Sequence, residues 1–198
     1  VEVVETNVHD EARLAELVAG QDAVINLIGI LHSRYGLPYG RDFARAHVEL
    51  PRKIAAACRS DRPFVLFADS DVVFLRPFGI DRFTDGSRLA LSRVRSEFED
   101  LPHWRRASAR LLGLGAPEAF ATVNYVSNLI PWHRDVARAM VAHVETHHRG
   151  GWAATIAREL RFSEYTLYGV YAEEVLGLHQ AGHYPWDDPI LNMCWDEP

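Results

Sequence analysis

Two short, almost uninterrupted apolar runs constrain this chain most: DAVINLIG at residues 22–29 and PFVLFA at residues 63–68. A strand with one wet face alternates apolar and polar side chains. A run without alternation is how a strand buried on both faces reads. Helical patterns lie between and around them. EARLAELVAG, residues 11–20, sets Leu14, Leu17 and Val18 on one face and stops at Gly20. FARAHVELPRKIAAACR, residues 43–59, reads as a second helix, kinked or broken at Pro51. Strands alternating with helices predict an α/β fold with a mainly parallel sheet flanked by helices. In such sheets ligands bind beyond the carboxyl ends of the strands.

The rest of the chain supplies the flanking elements. Residues 89–94 read as a strand, residues 98–114 carry helical signals, and NYVSNLIPW contains a strand. Residues 135–147 predict a helix with Val136, Met140, Val141 and Val144 on one side, and residues 163–176 predict another. From His179 the tail is rich in Pro and Trp and reads as irregular. Hydrophobic residues make up 48% of the 198, which excludes a disordered chain. A net charge of -6 argues against a nucleic-acid or polybasic membrane binder. No apolar segment reaches the roughly 18 residues of a membrane-spanning helix. Cys58 and Cys194 have neither metal spacing nor a disulfide framework, which fits a reducing cytoplasm. The opening VEVVE reads directly as a strand, so the chain is expected to be cut from a larger fold.

The run PFVLFA ends in an acidic pair, Asp69 and Asp71, within FADSDVVFLRPF. Alternate residues of an extended segment point the same way, so both carboxylates can project into the crevice at a strand end. Two hard oxygen ligands held together suit Mn²⁺ or Mg²⁺, which would neutralise a nucleotide diphosphate. The same spacing also suits solvated loop residues or helix caps.

FADSDVVFLRPF resembles the D-x-D region of GT-A-type glycosyltransferases. Downstream, NYVSNLIPWHRDVARAMVAHVE and GWAATIARELRFSEYTLYGVYAEEVLG look like a bacterial glycosyltransferase-like family. The resemblance covers residues 63–198. It implies that Asp69 and Asp71 hold the cation and the diphosphate of a nucleotide-sugar donor. It implies further that Asn124, Ser127 and Asn128 lie near donor or acceptor hydroxyls, and that Glu164 is the acceptor-side acid or catalytic base. A carboxylate beside Phe162, Tyr165 and Tyr168 suits a general base, while a solvated helix glutamate is the plainer alternative. Trp132, Trp152, Tyr165, Tyr168, Trp186 and Trp195 are candidates for stacking on sugar rings, or for packing. His179 and His183 are candidates for a late metal ligand.

Residues 1–62 resemble something else. VEVVETNVHDEARLAELVAGQDAVINLIGILHS, continuing through FARAHVELPRKIAAACR, is similar to the middle of an atypical short-chain dehydrogenase/reductase domain, including relatives of an accessory subunit of respiratory complex I. That likeness implies a Rossmann-like sheet with NAD(P) beside Asn7, Val8, Asn26 and Gly29. No glycine-rich phosphate loop and no Tyr-x-x-x-Lys pair accompany it, so this part is expected to be scaffold or a non-catalytic dinucleotide-binding module. The expected organisation is a hybrid of two partial domains, 1–62 and 63–198, joined near residues 60–63 and sharing one continuous sheet or not. Lacking the front of a GT-A domain, the expected glycosyltransferase has weakened donor affinity or none.

Overall fold

The computed structural model describes residues 12, 13, 16, 52–68, 79–95, 101–115, 123–159 and 162–186. Ala12, Arg13 and Glu16 are helical, as expected, with Arg13 and Glu16 paired at 2.8 Å on the surface. The described elements then run in this order: α1 Arg52–Arg59, β1 Phe64–Ala68, a 3₁₀ turn Ile80–Phe83, β2 Thr84–Asp85, β3 Arg88–Ser92 and β4 Val94–Arg95. They continue with α2 Leu101–Leu111, β5 Val123–Asn124, β6 Leu129–His133, α3 Arg134–His147, α4 Trp152–Ile156, α5 Glu164–Val170, a π-helical turn Tyr171–Leu176 and β7 His183–Trp186.

β1 is buried on both faces, which is why its sequence does not alternate. Val65 and Phe67 enter the main core with Ile130 and Trp132. Leu66 and Ala68 point the other way and join Phe83 and Leu129 in a second, smaller core. Its partner is β6, antiparallel, in a register that runs from Phe64 opposite His133 to Ala68 opposite Leu129. The hairpin β2–β3 and the pair β4–β5 are antiparallel too. Only β3–β7 is parallel, with Leu89 opposite His183 and Ser92 opposite Trp186. The protein is therefore α/β, but a mainly parallel sheet is not what the described strands build. An antiparallel pair needs no right-handed crossover, so β6 can meet β1 head to tail after the elements that lie between them in sequence.

The tail corrects a second expectation. The Pro- and Trp-rich stretch HYPW is β7, not irregular chain. It is held from both ends: Leu89 N donates to Gly182 O at 2.8 Å, and Arg93 N donates to Trp186 O at 3.2 Å. The backbone partner β3 supplies the order that its composition conceals.

α3 presents Val136, Ala137, Met140 and Val144 to the core, a spacing that follows the helical repeat. Val141 is only half-buried. Its last turn closes α2. His143 Nε2 lies 3.0 Å from Leu112 O, and His148 Nε2 lies 3.1 Å from Leu111 O. Imidazoles thus meet carbonyls that the end of a helix leaves unpaired.

Candidate functional site

The site is built around the carboxyl end of β1, because that end leads into Asp69. α1 doubles back on β1. An eight-residue helix is about 12 Å long, so a collinear α1 would hold Lys53 far from Phe67. Instead Lys53 touches Tyr165, the Tyr165 ring lies 6.0 Å from Trp132, and Trp132 pairs with Val65 and packs 5.0 Å from Phe67. Through Tyr165 and Trp132 the amino end of α1 is thus tied to the stretch of β1 that holds Val65 and Phe67. α5 brings its own amino end to Lys53. Ser163 caps it, its Oγ accepting from Thr166 N at 3.3 Å, and Glu164 is its first residue.

Glu164 is not a solvated helix glutamate. Its side chain is 15% exposed, and Lys53 Nζ stands 2.9 Å from its Oε1, itself 11% exposed. The same ammonium donates to Tyr165 Oη at 2.8 Å and lies 4.5 Å from the centre of that ring. A carboxylate taken out of water is compensated here by a counter-charge that comes from α1. Reading the sequence for acids alone missed Lys53. One signal was present: it is the single lysine of the chain, and every other basic residue among the 21 Lys and Arg is arginine.

Ser127 and Asn128 are half-buried in the loop before β6, and Asn128 directly precedes Leu129, the partner of Ala68. They therefore flank the strand end that runs on to Asp69. Asn124 Oδ1 accepts from Val126 N at 2.9 Å, an Asx-type turn that shapes the loop. Asp69 and Asp71 lie outside the described residues, as do Asn7, Val8, Asn26 and Gly29.

The aromatic and histidine candidates sort by burial. Trp132, Tyr165 and Tyr168 are core residues: Trp132 and Tyr168 stack at 4.4 Å with planes 5° apart, and neither offers a face to a sugar. Trp152 and Trp186 are partly exposed, and Trp195 lies outside the described residues. His183 is not free to bind a metal. Its Nε2 is 2.8 Å from Tyr168 Oη and its Nδ1 is 3.1 Å from Leu89 O. His179 is exposed. Among the described residues no group of three or more His, Cys, Asp and Glu side chains is placed to hold a metal ion.

Behind the loop, the Tyr125 ring lies flat on Gly169 of α5, where a Cβ would come within 2.2 Å of it. Tyr125 Oη donates to Glu173 Oε2 at 2.8 Å, and Arg93 Nε reaches the same carboxylate at 2.9 Å. Arg105, 2% exposed, sets its guanidinium 4.9 Å from the centre of the Tyr125 ring and donates to Val123 O from Nε at 2.8 Å. Burial, followed by the Glu173 charge, pushes the Tyr125 phenol far above its ordinary range. This tyrosine is a strut for the loop that carries Ser127 and Asn128.

Residues 47–190 match a family of unknown function, DUF6492. The chain belongs to the DUF6492 family. No curated protein and no solved structure matches it. The DUF6492 match runs from just before α1 to just beyond β7 and so crosses residues 60–63. α1 shares its core with the rest of the match, Ile54 and Ala57 packing with Val65, Phe67 and Met140. Lys53 and Glu164 both fall within the DUF6492 segment.

Proposed function

We propose that this protein is a metal-dependent, glycosyltransferase-like enzyme that moves a sugar from a nucleotide-sugar donor to an acceptor hydroxyl. The observation that carries this reading is one of placement. The strand end leading to Asp69 and Asp71 lies beside Ser127 and Asn128, and Lys53 and Tyr165 tie the half-buried Glu164 at the start of α5 to Trp132 on the strand paired with β1.

In this reading Asp69 and Asp71 hold Mn²⁺ or Mg²⁺, as two hard carboxylate ligands can. The cation would offset the negative charge of the donor diphosphate. Ser127 and Asn128 orient sugar hydroxyls. Glu164 accepts the acceptor's proton as the acceptor oxygen bonds to the anomeric carbon. The bond from that carbon to the diphosphate oxygen breaks, and its electron pair leaves with the nucleoside diphosphate. A Rossmann-like, mainly parallel sheet belongs to the same proposal. So does a cytoplasmic location, in keeping with two cysteines that suggest no disulfide framework.

The test is titration of UDP and GDP into the protein with Mn²⁺ and then with EDTA, repeated on Asp69→Asn/Asp71→Asn. Binding that needs Mn²⁺ and disappears in the double variant is the expected result. Nucleotide binding that is indifferent to both would sink the proposal.

A further inference from the structure

The chain has one lysine, and that lysine is spent in a partly closed corner against Glu164 and Tyr165. Composition makes this unusual, because the chain uses arginine wherever else it needs a cation. Chemistry gives a reason. An ammonium is a compact point charge with three donors that can turn independently, whereas a guanidinium is a flat fork. At Lys53 one donor meets Glu164 Oε1 at 2.9 Å and another meets Tyr165 Oη at 2.8 Å, while the charge sits 4.5 Å from the phenol ring's centre. Both partners are met by one nitrogen within a site where Lys53 is 11% exposed, which a compact ammonium with independent donors can do.

We propose that Lys53 is a positioning residue of the reaction: through its contacts to Glu164 and Tyr165 it holds the Glu164 carboxylate ionised and aimed at the acceptor hydroxyl. The inference rests on the glycosyltransferase reading above. It adds that the reacting carboxylate on α5 is set by a residue on α1, so that two distant parts of the sequence make one functional unit. The ordering matters because a base must lie within hydrogen-bond reach of the proton it takes. A carboxylate at the first residue of a helix has free rotamers unless something fixes it.

The experiment follows Mn²⁺-dependent release of sugar from UDP-glucose, UDP-galactose and GDP-mannose, with water or an added alcohol as acceptor. It compares the wild-type chain with Lys53→Met, Lys53→Arg, Glu164→Gln and Lys53→Met/Glu164→Gln, and affinity for Mn²⁺–UDP is measured alongside. Lys53→Met and Glu164→Gln should each slow turnover by about tenfold or more, with affinity within about twofold of wild type. The double variant should be no slower than Glu164→Gln. Lys53→Met should also move the acid limb of the pH–rate profile to higher pH, and Lys53→Arg should retain more turnover than Lys53→Met.

Slow Glu164→Gln with wild-type turnover and an unmoved limb in Lys53→Met would overturn the role of Lys53 and leave the enzyme reading intact. Wild-type turnover in Glu164→Gln, or no turnover of any donor by the wild-type chain, would overturn the reading itself and the role of Lys53 with it. Should Lys53→Met fail to fold, Lys53→Gln, which also removes the charge, carries the test in its place: an acid limb moved to higher pH supports the proposal and an unmoved one overturns it.

Discussion

Tyr168 and His183 share a hydrogen bond of 2.8 Å inside the core. Its direction follows from the neighbours. Leu89 O can only accept, so His183 Nδ1 carries the proton and Nε2 accepts from the phenol. Tyr168 Oη in turn accepts from His133 N at 2.9 Å. The chain β6–α5–β7 is thus closed by one neutral imidazole, and this tautomer leaves no ring nitrogen for a metal.

The first prediction concerns acid. Burial, and then the nearby His133, brings the His183 imidazole from its ordinary 6.5 down to about 4. Between those values the unfolded chain binds a proton that the folded chain refuses. Stability is therefore full above pH 6.5 and is lost as pH falls toward 4, by up to about 3 kcal/mol. Urea unfolding in steps from about pH 7.5 to about pH 4.5 measures it, and His183→Phe should flatten that slope. An equal slope in the variant would assign the acid loss to other groups.

The second prediction concerns the ion pair. Lys53→Met removes the counter-charge 2.9 Å from Glu164 and should cost about 1 kcal/mol or more. Lys53→Met/Glu164→Leu removes both charges and should recover most of that loss. Thermal unfolding of the two singles and the double variant gives the coupling directly. Additive losses would mean that the pair contributes little.

The third concerns the strut. Gly169→Ala places a methyl within 2.2 Å of the Tyr125 ring, in a helix and a core that leave it little room to move. The expected cost is about 2 kcal/mol. Tyr125→Ala in the same chain should relieve the clash, so that the double variant loses less than the sum of its parts.

The fourth concerns Cys58. Burial pushes its thiol up to about 11, and Arg138, whose Nε donates to Cys58 O at 2.7 Å, only partly opposes it. At about pH 8 its thiolate should be roughly a hundredfold scarcer than that of an ordinary cysteine. Alkylation with iodoacetamide, read by mass spectrometry of the peptide carrying Cys58, should be slow in the folded chain and fast in urea.

Several elements were legible because they depend on neighbours in sequence. PFVLFA announced a doubly buried strand, and β1 is one. Val136, Met140 and Val144 announced the inner face of α3. Glu164 is half-enclosed next to Tyr165, and not solvated. Other features were not legible. HYPW becomes a strand only because β3 offers an edge, and no local pattern encodes that edge. Tyr168 reads as well as a sugar platform as it does as core, and Trp132 settles the matter by stacking on it.

The sequence by itself determined that residues 64–68 are a strand, that residues 135–147 are a helix with one apolar face, and where acids cluster, because periodicity and composition are local properties of a chain. The tertiary structure alone decided that β1 pairs antiparallel with β6, that Asn124 shapes its own loop, and that the one lysine meets Glu164. Those outcomes turn on which distant groups come within about 3 Å of each other, and contacts of that kind depend on how whole elements pack and not on the residues beside them.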